Sequence, residues 1–84
     1  MVTILYFAWV RDAVGVGQEI VDIPADVMTV GALATYLAMR SDGHVRAFAD
    51  PDRLRAAVDL AMVSFEATIV GAKEIAFFPP VTGG

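Results

Sequence analysis

One helical stripe, flanked on both sides by segments that read as strands, limits what this chain can become. Val30, Leu33, Ala34 and Leu37 recur at i, i+3, i+4 and i+7, the apolar face of an amphipathic helix. Thr29 stands where an N-cap belongs, because its hydroxyl can accept from a free N–H of the first turn. Arg40 is placed in the last turn, where a cation suits the helix dipole, and Gly43 is expected to stop the helix just beyond.

The flanking segments have a different grammar. Thr3 to Val10 is dense in β-branched and aromatic residues without clean alternation, which predicts a central strand covered on both faces. Trp9 is expected to pack on that strand. Gly15 and Gly17 mark a turn. Glu19 to Ile23 then alternates, with Ile20 set apart from Val21 and Ile23, and predicts a second strand halted by Pro24. The two strands form a hairpin with a long loop. Asp50-Pro51 reads as an N-cap followed by proline at the first helical position, opening a short helical turn through Arg53. Ala56 to Leu60 predicts a third strand and Glu74 to Phe78 the last, with Met62 to Phe65 and a turn near Gly71 between them. Strand, strand, helix, strand, strand is the order of an α+β two-layer domain. At 84 residues the expectation is one domain, 1–84, with 79–84 as an extended C-terminal tail.

Composition removes several functions. The net charge is −4, and the six basic residues Arg11, Arg40, Arg46, Arg53, Arg55 and Lys73 are dispersed, so no phosphate-tracking stripe forms and nucleic-acid binding is not expected. Cysteine is absent, which excludes disulfides, thiolate metal sites and a cysteine nucleophile. His44 is the sole histidine; it is expected in the loop after the helix, and no metal site is expected around it. Ser64 lacks a nucleophile-elbow context, and Asp50 and Asp52 read as caps rather than as catalytic carboxylates. The longest apolar run, Ile4 to Val10, falls far short of the roughly 20 residues of a membrane span. No basic n-region precedes it, so no membrane association is expected and the expected location is the cytoplasm. Yet 57% of the residues are apolar, above the usual share of about 45–50%. A small interior cannot hold them all, which predicts an exposed apolar patch of the kind that marks protein interfaces.

The end of the chain carries the most chemistry. Phe77-Phe78 closes a strand, Pro79-Pro80 cannot continue a ladder, and Val81-Thr82-Gly83-Gly84 follows. Terminal glycines have no Cβ and can enter a narrow channel. An α-carboxylate has a pKa of roughly 3.5 and is ionised at neutral pH. It becomes an electrophile only when activated, for example as an acyl-adenylate, and a sulfur nucleophile can then displace AMP and leave a thiocarboxylate.

Specific segments carry a family resemblance: Leu5-Tyr6-Phe7-Ala8 with Val10-Arg11, then Ala56-Ala57-Val58, Val63-Ser64-Phe65, Glu74-Ile75-Ala76 and the whole Phe77 to Gly84 ending. The chain resembles the small subunits of molybdopterin synthase, the MoaD-type sulfur carriers. Asp59 stands where that family often has asparagine, and Gly71-Ala72-Lys73 replaces a more acidic turn. The resemblance implies a ubiquitin-like β-grasp fold, a mixed sheet with one main helix packed across it and its first and last strands adjacent. It implies that an E1-like enzyme adenylates Gly84, with Gly83 beside it, using ATP that the carrier does not itself hold. A sulfur donor then forms the thiocarboxylate. It further implies docking on the large synthase subunit through Phe7, Arg11 and Phe78 and the tail Pro79, Pro80, Val81 and Thr82, in a two-plus-two heterotetramer; core packing is the alternative for Phe7 and Phe78, and Met62 has a side chain adaptable enough to join such an interface. There sulfur passes to cyclic pyranopterin monophosphate. A carrier for thiamine or tRNA thiolation, a modifier joined to lysines, and an interaction module with an inert tail remain as alternatives. The Phe-Phe-Pro-Pro-Val-Thr lead-in fits the molybdopterin branch better than the first of these.

Overall fold

A computed structural model describes residues 1–80. They form a five-stranded sheet, β1 (Val2–Tyr6), β2 (Gln18–Val21), β3 (Arg55–Val58), β4 (Ala61–Val63) and β5 (Glu74–Phe78), in the order β2-β1-β5-β3-β4. Three helices cover one face: α1 (Ala8–Val14), α2 (Val30–Leu37) and α3 (Asp42–Ala47), with a 3-10 turn at Pro51–Arg53. The sheet is mixed. β1 and β5 run parallel at its centre, with Tyr6 beside Phe77, and the other pairings are antiparallel.

The main helix forms where the apolar stripe predicts. Thr29 caps it, its hydroxyl accepting from Ala32 N–H at 3.1 Å, and Val30, Leu33, Ala34 and Leu37 are all buried. Leu33 and Leu37 meet Ile4 and Tyr6 of β1 and Ile75 and Phe77 of β5 in one core. Phe48 joins it edge-to-face, its ring 5.0 Å from Phe77 and 6.2 Å from Tyr6. Asp50 also acts as expected, accepting from Asp52 N–H at 3.1 Å ahead of Pro51.

Several expectations are corrected. Thr3 to Val10 is not one strand. β1 ends at Tyr6, and Ala8, at φ 53°, turns the chain into α1, so Trp9 lies on a helix. The first hairpin loop therefore holds a helix, closed by Gly15 at φ 99° with its N–H donating to the Arg11 carbonyl at 2.8 Å. The helix of the apolar stripe ends at Leu37, ahead of Arg40. Gly43 does not stop it but sits inside α3, which Ser41 caps. The reason for glycine there is steric: a Cβ would come within 2.3 Å of the Ala13 carbonyl of α1. The second and third strands are shorter than their alternation suggested, and Ala61–Val63 forms a strand that the sequence did not announce. β3 and β4 are joined at Asp59 and Leu60, at φ 47° and 74°, the paired left-handed conformation of a two-residue hairpin turn. Asp59 is pinned there, its Oδ1 accepting from Lys73 N–H at 3.0 Å and Glu74 N–H at 2.9 Å.

Candidate functional site

With all three helices on one side, the opposite face of the sheet is bare. Along β5, Ile75 and Phe77 are fully buried under the helices, while Glu74, Ala76 and Phe78 alternate onto the other side and are half-buried. Register extends this across the sheet: Leu5 lies beside Ala76, Ala76 beside Ala57, and Ala57 beside Met62. Two small alanines between Leu5 and Met62 make a shallow apolar trough. Met62 is 64% exposed and Ile20, on the β2 side, 63%. This is the apolar patch that the composition required. Ile20 was legible in the alternation that set it apart from Val21 and Ile23; Leu5 was not, because its strand does not alternate.

The trough leads to the end of β5 from which the tail departs. Phe7 extends β1 by one residue, its N–H donating to the Phe77 carbonyl at 3.2 Å, and comes alongside Phe78. Phe7 is 47% exposed, so neither it nor the half-buried Phe78 is a core residue. Arg55 lies opposite Phe78 and is held by its own chain, donating to the Leu54 carbonyl at 2.7 Å. Arg11 is exposed on α1, with its stem near Gly17, whose carbonyl accepts from Tyr6 N–H at the same end of the sheet. Pro79 and Pro80 are half-buried and outside any strand. Among the expected site residues, the structure gathers Phe7, Phe78 and Pro79 at this end and Met62 along the trough. Val81, Thr82, Gly83 and Gly84 lie outside the described residues.

Behind this end sits a polar cluster that the sequence did not reveal. His44 is buried on α3, not in a loop. Its Nε2 is 2.6 Å from Glu19 Oε2, and its Nδ1 is 2.7 Å from the Ser41 hydroxyl. Tyr6 donates its hydroxyl to the same Glu19 oxygen at 2.7 Å, and Arg40 pairs with the other at 3.2 Å. Burial opposes ionisation of Glu19. The hydrogen bonds from Tyr6 and His44, with attraction to His44 and Arg40, outweigh it and hold the carboxyl below its ordinary 4.5. Burial foremost, then the hydrogen bond and charge of Glu19, push the Tyr6 phenol well above its ordinary 10.0. This cluster is satisfied and closed, with no buried side-chain polar atom left unpartnered among the described residues.

Nothing among the described residues assembles a catalytic centre. Two grooves among the described residues are open. One, lined by residues including Leu54, Arg55, Val63 and Phe65, contains Ser64, whose hydroxyl accepts from Glu66 N–H with no histidine near it. The other, lined by Val2, Ile23, Val27 and Ile69 among others, is apolar. No group of three or more His, Asp or Glu side chains gathers as metal ligands among the described residues. What the arrangement offers is an exposed apolar face beside the end of β5, ahead of the Gly-Gly ending.

Comparison with known proteins agrees. The ThiS family model matches residues 4–84. The chain is 43% identical to the molybdopterin synthase sulfur carrier subunit of Escherichia coli K12, over 100% of both chains. It is 33% identical to the one from Haemophilus influenzae, again over 100% of both. Among solved structures, a molybdopterin converting factor subunit 1 from Pyrococcus furiosus superposes with a TM-score of 0.72 at 27% identity, covering 95% of this chain and 97% of that one. SAMP1 from Haloferax volcanii, at 22% identity, shares the fold with a TM-score of 0.71, covering 99% of this chain and 98% of its own. A match to the family model over almost the whole length, tail included, places this chain in the ThiS family of β-grasp proteins.

Proposed function

We propose that this chain is the sulfur carrier of a molybdopterin synthase, and that its working group is the carboxylate of Gly84. The observation that carries the reading is the 43% identity to the Escherichia coli sulfur carrier subunit in an alignment that spans the whole chain, Gly83-Gly84 included. The chemistry follows from the terminus. An E1-like enzyme brings ATP; the Gly84 carboxylate attacks its α-phosphorus, pyrophosphate leaves, and an acyl-adenylate remains. A sulfide-level sulfur nucleophile adds to the carbonyl and expels AMP, giving the thiocarboxylate. On the large synthase subunit that sulfur forms a bond to a side-chain carbon of cyclic pyranopterin monophosphate, and the carbon–oxygen bond there breaks, the oxygen leaving with a proton. Water then cleaves the acyl–sulfur bond, leaving sulfur on the product and regenerating the carboxylate. Each product needs two such transfers, which suits a two-plus-two assembly.

The division of labour fits a domain in which two grooves among the described residues are open. The carrier contributes a docking face, Leu5, Met62 and Phe78 with Phe7 at its end, and a thin tail; Arg11 adds a cation at the same end. Its partners supply the enclosed pockets, the ATP and the sulfur source. No helix among the described residues is long and apolar enough to cross a membrane, and the reading places the carrier with its partners in the cytoplasm.

Intact-mass measurement tests the reading. After incubation with its activating enzyme, ATP and a sulfur source, the protein gains the mass difference between sulfur and oxygen, located on Gly84 by fragmentation. An unchanged mass leaves an interaction module with an inert tail. Adducts on the lysines of other proteins in cells point to a modifier instead.

A further inference from the structure

The tail leaves β5 between two flanking segments, and those segments touch. On one side β1 continues as Phe7-Ala8-Trp9; on the other, Arg53 and Leu54 precede β3, whose Arg55 lies opposite Phe78. The Arg53 guanidinium stands 4.8 Å from the centre of the Trp9 ring, within the range of a cation–π contact. Trp9 belongs to α1, which packs Val10 into the core from the helical side. The stacked pair therefore bridges the two neighbours of β5 across the line of its exit.

The corner that delivers Trp9 to this place is strained. Ala8 has φ 53°, a left-handed conformation that alanine rarely adopts and that persists only where its surroundings impose it. Phe7, still extended, continues the alternation of β1 onto the exposed side, and the turn at Ala8 brings Trp9 back against the core. The Phe7 N–H bond to Phe77 and the Val10 N–H bond to the Phe7 carbonyl hold one arm of the corner. Arg53 holds the other. It makes no ion pair among the described residues, so its charge is directed at the indole.

We infer that Trp9 and Arg53 form a clasp that sets the direction in which the tail leaves β5, and so act as positioning residues for its entry into the enzymes that activate and use it. The inference rests on the sulfur-carrier reading for its function, though the clasp itself does not. A tail that must enter a narrow channel binds in proportion to the fraction of molecules in which it is correctly aimed. Loosening the clasp lowers that fraction and raises KM. It leaves kcat alone, because a seated carboxylate reacts as before.

The test uses the full chain, its E1-like activating enzyme and ATP–pyrophosphate exchange. For Arg53→Gln and Trp9→Leu, KM for the carrier rises about five-fold or more at unchanged kcat. Arg53→Lys, which keeps a cation over the ring, stays near the wild type. Ile69→Val, at the opposite end of the sheet, lowers Tm without moving KM, which separates aiming from general loosening. In the isolated protein, 15N relaxation shows added motion at the Phe77 and Phe78 amides in Arg53→Gln but not in Arg53→Lys. Because Arg53 is an exposed side chain, its variants keep the fold even if Trp9→Leu does not. An unaltered KM in Arg53→Gln, or amides that relax as in the wild type, overturns the clasp. A wild-type chain that supports no exchange defeats the sulfur-carrier reading instead, and the relaxation data still decide the clasp.

Discussion

Glu19 is one side chain on an edge strand, yet it gathers Tyr6, His44 and Arg40 from three other segments. Its folded-state pKa lies below the unfolded one, so its contribution to stability is present above the ordinary value of 4.5 and disappears as pH falls through the folded value. Thermal melts of the wild type and Glu19→Gln should therefore differ by about 2 kcal/mol near neutrality, with the gap closing in acid. A constant gap down to the lowest pH would place the stabilisation elsewhere. None of this was readable in the sequence, because His44 and Glu19 stand 25 positions apart and only the folded chain brings them together. The nearer signal was legible and passed over: Ser41 followed by Asp42 is an N-cap and an acidic first turn, which Gly43 disguised as a helix stop. Asp59 makes the complementary point. Its Oδ1 accepts two backbone bonds from a left-handed position, and asparagine has the same oxygen and the same tolerance of that conformation. Asp59→Asn should leave the urea midpoint nearly unmoved, whereas Asp59→Ala should cost about 1 kcal/mol, because the two exposed donors lose their acceptor to water.

At the level of elements, what could be read depended on length and on start signals. The Glu74 to Phe78 strand appears with the bounds that its alternation and Pro79 imply, and α2 follows its stripe and cap. Helix α1 was hidden in an apolar run because Phe7, its N-cap residue, offers no side-chain hydrogen bond. β4 has three residues, too few to establish a period. The close approach of α1 and α3 is what Gly43 permits, and it gives a sharp expectation. Gly43→Ala places a methyl against the Ala13 carbonyl and should destabilise by about 2 kcal/mol through overpacking, measured as a lower urea midpoint at unchanged m-value. A neutral result would mean that the two helices can part without loss.

At the scale of the whole molecule, an exposed apolar face and a Gly-Gly ending carry different kinds of information. The face was foreseen only as an excess of apolar residues; its location needed the register that aligns Leu5, Ala76, Ala57 and Met62. The proposed tail chemistry, by contrast, depends on covalent identity and not on packing, so it rests on the sequence alone. Adding one residue after Gly84 should abolish thiocarboxylation and synthase activity while Tm stays within about a degree of the wild type, since the addition lies beyond every strand. Retained activity in that variant would refute a terminal-carboxylate mechanism. The parallel pairing of β1 with β5 has a last implication, for truncated chains. Among the described strands β5 comes last in the chain yet pairs with the first, so a chain cut before Glu74 loses the partner that β1 lies beside at the centre of the sheet. Limited proteolysis of such a fragment should be faster than that of the full chain, because one edge of β1 is left without its ladder.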